Sequence, residues 1–148
     1  MKLIAHRGNF AGRKEKWENY PEYLNAAMAL GYDVECDAWF YDNQFYLGHD
    51  KPTFKTSIEY LMNNKIWIHA KTILTLANIV GLRLNGFYHQ RDRCSLTTLG
   101  FIWTYPYKNV ELTRRTIIVM PKEDYRDKLR LIAGICDDNV QQYVAERG

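Results

Sequence analysis

Asp33-Val34-Glu35-Cys36-Asp37-Ala38-Trp39-Phe40-Tyr41, then Asp42-Asn43, then Gln44-Phe45-Tyr46-Leu47, is the stretch whose reading decides the fold. The first nine residues read as a strand, and Asp42-Asn43 as the tight turn of a hairpin returning through residues 44–47. Successive strand residues point to opposite faces. Val34, Cys36 and Ala38 therefore form the buried set, and Glu35 and Asp37 share the other face with Trp39. Two carboxylates on one inward face are costly unless a positive group neutralises them. Oxygen ligands of this kind suit Mg²⁺ or Ca²⁺. The plainer alternative is an exposed strand with alternating polar residues.

Outward from this stretch, short apolar strands alternate with helical segments, which predicts an α/β fold with a parallel sheet. Residues 3–5, 66–70, 86–88, 101–104, 116–120 and 134–136 read as further strands. Asn19 is placed to cap a helix through Leu30, with Pro21 in its first turn and Gly31 ending it. Residues 57–63, 73–82, 122–132 and 140–146 read as helices. The strand ends fall near positions 6, 37, 71, 89, 104, 120 and 137. A complete (β/α)₈ barrel takes about 250 residues, and this chain has 148. The expectation is a single domain over 1–148: a reduced (β/α)₈ TIM-like barrel with several outer helices shortened or missing. An open doubly wound sheet is the alternative, though no Gly-rich phosphate loop follows the first strand.

All four histidines of the chain, His6, His49, His69 and His89, sit at or just past predicted strand ends. That is the edge where parallel α/β proteins build their sites. Arg7 and Lys71 lie beside them, and fixed cations there stabilise the charge that a phosphodiester develops in its transition state. For either cation considered alone, a surface salt bridge is the ordinary explanation.

Composition narrows the classes. With 47% apolar and 25% charged residues, the chain has the balance of a soluble globular protein. The net charge of +3 tolerates an anionic substrate but lacks the clustered basic stripe of a nucleic-acid binder. Cys36, Cys94 and Cys136 form no paired or Cys-x-x-Cys pattern, so they read as reduced and structural. The start has no h-region of a signal peptide and no stretch is long enough for a membrane span, which points to the cytoplasm.

His6-Arg7-Gly8, Glu18-Asn19, Glu35-Cys36-Asp37 and His49-Asp50, in that order and at those intervals, resemble the glycerophosphodiester phosphodiesterase family, one of the phospholipase-C-like phosphodiesterase TIM barrels. The likeness continues through Ile68-His69-Ala70-Lys71, Trp103-Thr104 and Gly134-Ile135-Cys136-Asp137-Asp138. The resemblance implies that His6 and His49 are the acid–base pair, and that Glu35 and Asp37 hold one divalent cation. It implies that Arg7, Lys71 and Asn19 contact phosphate and that Trp103 walls the pocket. His89 is grouped with these substrate-binding residues.

Two departures stand out. The family's third acidic ligand is replaced by His69, which either ligates the metal, moving preference from Mg²⁺ or Ca²⁺ toward Mn²⁺ or Zn²⁺, or serves the hydrogen-bond network. Asp137 stands where the family has threonine. The expected activity is cleavage of a glycerophosphodiester or a related small phosphodiester, without nucleic acid as partner. The alternative is a catalytically impaired barrel that binds phosphorylated ligands or a protein. Missing outer helices would leave sides uncovered and favour a homodimer.

Overall fold

The computed structural model describes residues 1–122 and 124–147. Its strands in chain order are β1 (Lys2–Ala5), β2 (Asp33–Tyr41), β3 (Gln44–Leu47), β4 (Phe54–Thr56), β5 (Ile66–Ala70), β6 (Gly86–Phe87), β7 (Cys94–Leu96), β8 (Ile102–Thr104), β9 (Thr116–Val119) and β10 (Gly134–Asp137). The α-helices are α1 (Pro21–Ala29), α2 (Ile58–Leu61) and α3 (Ile73–Gly81). Four 3₁₀ segments, His6–Gly8, Glu15–Trp17, Arg126–Leu131 and Val140–Glu146, complete the regular structure.

All ten strands belong to one mixed sheet. A parallel run passes β6-β5-β2-β1-β10-β9-β8, each neighbour hydrogen-bonded to the next. Two strands run against it: β3 pairs antiparallel with the far end of β2, and β7 with β8; β4, antiparallel to β3, returns to the direction of the run. The length of β2 permits this branching. Asp33 and Val34 face β1, Val34–Ala38 face β5, and Ala38–Tyr41 face β3. At the hairpin, Asp42 and Asn43 both adopt positive φ, 50° and 57°, the conformation a two-residue primed turn requires.

The expected reduced (β/α)₈ TIM-like barrel is therefore not what forms. The sheet is mixed, the described residues after β6 carry no α-helix, and no ladder joins β6 to β8. The physical cause lies in the connections. A parallel crossover needs a dozen or more residues to hold a helix, and the chain between β6 and β10 spends its connections on turns, a hairpin and 3₁₀ segments. The predicted helix over 122–132 is a 3₁₀ segment at Arg126–Leu131, with Glu123 outside the described residues. The closing helix is also 3₁₀: its buried anchors, Val140 and Tyr143, are three apart, the spacing that eclipses on such a helix. Strands β4 and β7 were not anticipated. Asn19 does not cap α1. Tyr20 holds the N-cap position, and Asn19 sits at φ 63° with its side chain turned to β2.

Two apolar layers follow from the two-residue period of the strands. Leu3, Ala5, Val34, Cys36, Ala38, Ile66, Ile68, Ala70, Ile118 and Ile135 face α1, α3 and the 3₁₀ segments. Ile4, Trp67, Phe87, Trp103, Ile117, Val119 and Cys136 point the other way and pack on one another. The sheet curls enough for Phe87 and Trp103, on β6 and β8, to stack at 4.3 Å between ring centroids. This inner layer is the floor on which the site stands.

Candidate active site

The side chains that carry chemistry stand two residues beyond the apolar floor. Ile4 is followed by His6, Trp67 by His69, Phe87 by His89, Trp103 by Tyr105 and Cys136 by Asp138. A two-residue step along a strand returns to the same face, about 7 Å further on. Five strands thus place a polar group above an apolar one, and Glu35 and Asp37 of β2 join them on that face. The result is a cavity of about 300 Å³ lined by all four histidines together with Arg7, Glu35, Lys71 and Trp103.

The turn His6-Arg7-Gly8 is built for this place. Arg7 adopts φ 52°, a left-handed conformation uncommon for a side-chain-bearing residue. The turn aims its backbone N–H at Glu35 Oε2, 3.1 Å away. Gly8 follows at φ +88°, where a Cβ would lie 2.9 Å from the Tyr23 ring on α1, so only glycine lets α1 approach. Gly48, ahead of His49, is equally constrained: its φ is +149° and a Cβ would overlap the Lys51 carbonyl oxygen.

Asp37 is the electrostatic centre. It is wholly buried, and its Oδ2 accepts from Asn19 Nδ2 at 2.9 Å and lies 3.0 Å from Arg7 Nε. Its Oδ1 accepts from His69 Nδ1 at 2.9 Å and lies 3.5 Å from Lys71 Nζ. Burial alone would raise its pKa. The His69 hydrogen bond and the charges of Arg7 and Lys71 outweigh burial and hold the carboxyl well below the usual range. Glu35 behaves in the opposite way. Burial, reinforced by the charge of Asp37, raises its pKa against the pull of His6, Arg7 and His69.

His6 and Asp138 form a second carboxylate–imidazole pair, Nδ1 to Oδ1 at 2.9 Å. Burial favours neutral His6, but the Asp138 hydrogen bond and the Glu35 charge prevail and raise its pKa. His6 Nε2 is 3.9 Å from Glu35 Oε2. Asn9, fully buried, ties the rim together by donating from Nδ2 to both Asp138 and Glu18. Glu18 in turn accepts from Arg7 Nη1 at 3.0 Å.

The remaining sequence-predicted residues occupy distinct positions. His49 follows the antiparallel strand β3 and is exposed, with Nδ1 2.7 Å from Asp50 Oδ1. It stands between the histidine cavity and a larger, charged one of about 400 Å³ that also reaches Arg7, Arg13 and Lys51. Asn19 is buried and spends both amide atoms on Asp37, donating to its carboxylate and accepting from its backbone N–H. It acts as a brace for Asp37. Trp103 is buried in the floor and stacks on Phe87 while also lining the cavity. The ring of His89 lies 4.7 Å from that of His69 and 5.1 Å from that of Tyr105. Burial, with His69 and Lys71 nearby, lowers its pKa to about 4. Its Nδ1 is buried without a hydrogen-bond partner among the described residues.

Asp138 is the residue whose role the sequence reading missed, and the same two-residue step that relates His6 to Ile4 relates it to Cys136. Glu35, Asp37 and His69 each offer a ligand atom, all within 4.8 Å of one another. Two hard oxygens and one imidazole nitrogen fit a single divalent cation, and the raised pKa of Glu35 marks an anion short of positive charge. His69 donates from Nδ1 to the ionised Asp37, which fixes the orientation of its ring. Comparison of the chain with protein-family models, curated proteins and solved structures finds no match. Among the described residues no helix is long and apolar enough to cross a membrane.

Proposed function

We propose that the protein is a metal-dependent phosphoric diester hydrolase that cleaves glycerophosphodiesters or a related small phosphodiester, with His6 and His49 as its acid–base pair. The observation that carries this reading is the convergence of four histidines, Glu35, Arg7 and Lys71 on one cavity. Histidine titrates near neutrality and so exchanges protons at working pH.

The two imidazoles divide the work. Asp138 is ionised near neutrality because His6 and Asn9 overcome the effect of its burial. An ionised carboxylate only accepts, so His6 Nδ1 is the donor and Nε2 carries the exchangeable proton. With its pKa raised, His6 serves as general acid, giving that proton to the leaving alkoxide as the old P–O bond breaks. His49 takes the proton of the attacking hydroxyl as the new P–O bond forms. Arg7 and Lys71, already at the cavity wall, stabilise the charge on the equatorial oxygens. Glu35, Asp37 and His69 would hold the divalent cation, which when bound polarises a phosphoryl oxygen.

Hydrolysis of glycerophosphocholine, whose leaving alkoxide needs a proton, with and without Mg²⁺, Ca²⁺, Mn²⁺ or Zn²⁺ tests this. Turnover should require a divalent cation, and His6→Ala or His49→Ala should each lower kcat by about 10²–10⁴ with the fold intact. Full activity in excess EDTA would remove the metal from the reading.

A second reading, a site that binds a phosphorylated ligand without turning it over, is favoured by one observation. Both Asp37 oxygens are already occupied by Asn19, Arg7, His69 and Lys71. Tight binding of inorganic phosphate with no diester cleavage under any metal would decide for it.

A further inference from the structure

Beside the cavity, the hairpin carries a surface that its own fold does not explain. Along β2, β3 and β4 the pairing register sets Trp39 opposite Tyr46 and Tyr46 opposite Lys55. The neighbouring rows, Ala38–Leu47–Phe54 and Phe40–Phe45–Thr56, turn to the opposite, core-facing side. An antiparallel ribbon with one buried face presents polar residues on the other. Here that other face presents Trp39, Tyr41 and Tyr46. Together with Phe40, Pro52 and Leu74 they line an open, mainly apolar groove of about 710 Å³. Tyr41 is 65% exposed and Leu74 59%, and Ile73 beside them is 62% exposed.

Three adjacencies set the groove beside the site. Trp39 lies on the Glu35–Asp37 face of β2, about 7 Å beyond Asp37. Its indole Nε1 donates to Gly48 O at 2.7 Å, immediately before His49. Thr72 of the groove directly follows Lys71 of the cavity. One molecule could therefore set an anion among His6, Arg7 and Lys71 and lay an apolar segment over Trp39.

We propose that this groove is the subsite for the hydrocarbon tail of a single-chain amphiphilic phosphodiester whose phosphate occupies the histidine cavity. This rests on the phosphodiesterase reading and narrows it to a substrate class. Charge and apolarity are arranged in the order such a molecule needs: cations and imidazoles at the cavity, then Trp39, then Tyr46 and Leu74.

The test is a series of p-nitrophenyl alkyl phosphates, methyl to decyl, kept below their micelle concentrations. KM should fall about three- to fourfold per added methylene until the groove is filled. Leu74→Asn and Tyr46→Ser, both on exposed or half-buried surface, should flatten that dependence. Hydrolysis of every member with one KM, or a chain-length dependence unaltered in both variants, would overturn the inference while leaving the phosphodiesterase reading in place.

Binding is read separately with a tail-brominated single-chain phosphocholine, which quenches nearby indoles. Saturable quenching that is lost in Trp39→Phe supports the groove even if no diester is cleaved, the outcome that would fault the activity instead. Absence of quenching overturns the inference. So does sedimentation with phosphatidylcholine vesicles without quenching by the monomer, which would make the face a membrane-docking patch.

Discussion

The first part of the chain, through α3, and the second, from β6 onward, build opposite sides of one cavity from different materials. Strands β2 and β5 are backed by α1 and α3 and β1 by the closing 3₁₀ segment; this side supplies His6, Arg7, Glu35, His69 and Lys71 to the cavity, with Asp37 buried among Arg7, His69 and Lys71. Strands β8 and β9 lack α-helical cover and β6 meets α3 only through Gly86 and Ile79; this side supplies Phe87, His89, Trp103, Tyr105 and Val119. Charge is concentrated where helices pack the sheet's other face. A buried anion such as Asp37 needs partners held in fixed geometry, and rigid, doubly covered strands provide that. The less covered side carries a stacked wall of Phe87 and Trp103. Asp138, at the end of β10, returns charge to the first side by holding His6.

The sharpest way to break this comparison is to remove one imidazole from each side. His6→Ala should cost about 10²–10⁴ in kcat. His89→Ala should cost less than about tenfold, because an imidazole with a pKa of about 4 is neutral at working pH and supplies shape more than protons. Steady-state rates on one soluble diester compare them directly. Equal losses would mean that the wall is part of the chemistry.

Stability should divide in the same way. Asp37→Ala leaves Arg7, Lys71 and His69 facing a buried void, and breaking a buried ion network of this kind costs about 3–5 kcal/mol. On the wall, Phe87→Leu keeps most of the apolar volume and should cost less than about 1.5 kcal/mol. Urea denaturation midpoints at fixed m-value measure both. Acid sharpens the contrast. The carboxyl of Asp37 is held below its unfolded value, so the stability it contributes is present above the ordinary aspartate range and is lost as pH falls through the folded value. Asp37→Asn should make acid unfolding shallower, whereas Phe87→Leu should leave its slope unchanged.

The same division governed what could be read from sequence. The strand over 33–41 and its hairpin turn were legible because local signals and long-range packing agree there: a two-residue period and an Asp-Asn turn; α3 forms close to its expected range, with Thr72 as a cap that the sequence reading did not use. Glu35 and the histidines were legible as neighbours because residues at the ends of adjacent strands meet at one edge of the sheet, and they line one cavity. The closed barrel was not legible, and the expectation failed, because it was inferred from strand count and spacing. Those say nothing of whether β6 pairs with β8, or whether a short segment such as Cys94–Leu96 turns back on its neighbour. Asn19 was misjudged because an Asn before a helix has a cap as its ordinary use. Its left-handed backbone and its bonds to Asp37 depend on β2, which is distant in sequence.

Asp138→Asn gives the smallest expected effect and isolates the one link between the two sides. The carboxylate of Asp138 raises the pKa of His6 through a 2.9 Å hydrogen bond. An amide at that position keeps the shape and can still accept from Nδ1, but it carries no charge, so the pKa of His6 should fall. If His6 is the general acid, activity requires its protonated form, which is lost as pH rises. The basic limb of the kcat profile should therefore move to lower pH, with the acidic limb and the urea midpoint near neutrality little changed. A role of Asp138 confined to bracing Asn9 and the rim would predict the reverse: an unmoved profile and a lower midpoint. Movement of the acidic limb instead would make His6 the base and exchange the roles assigned to His6 and His49.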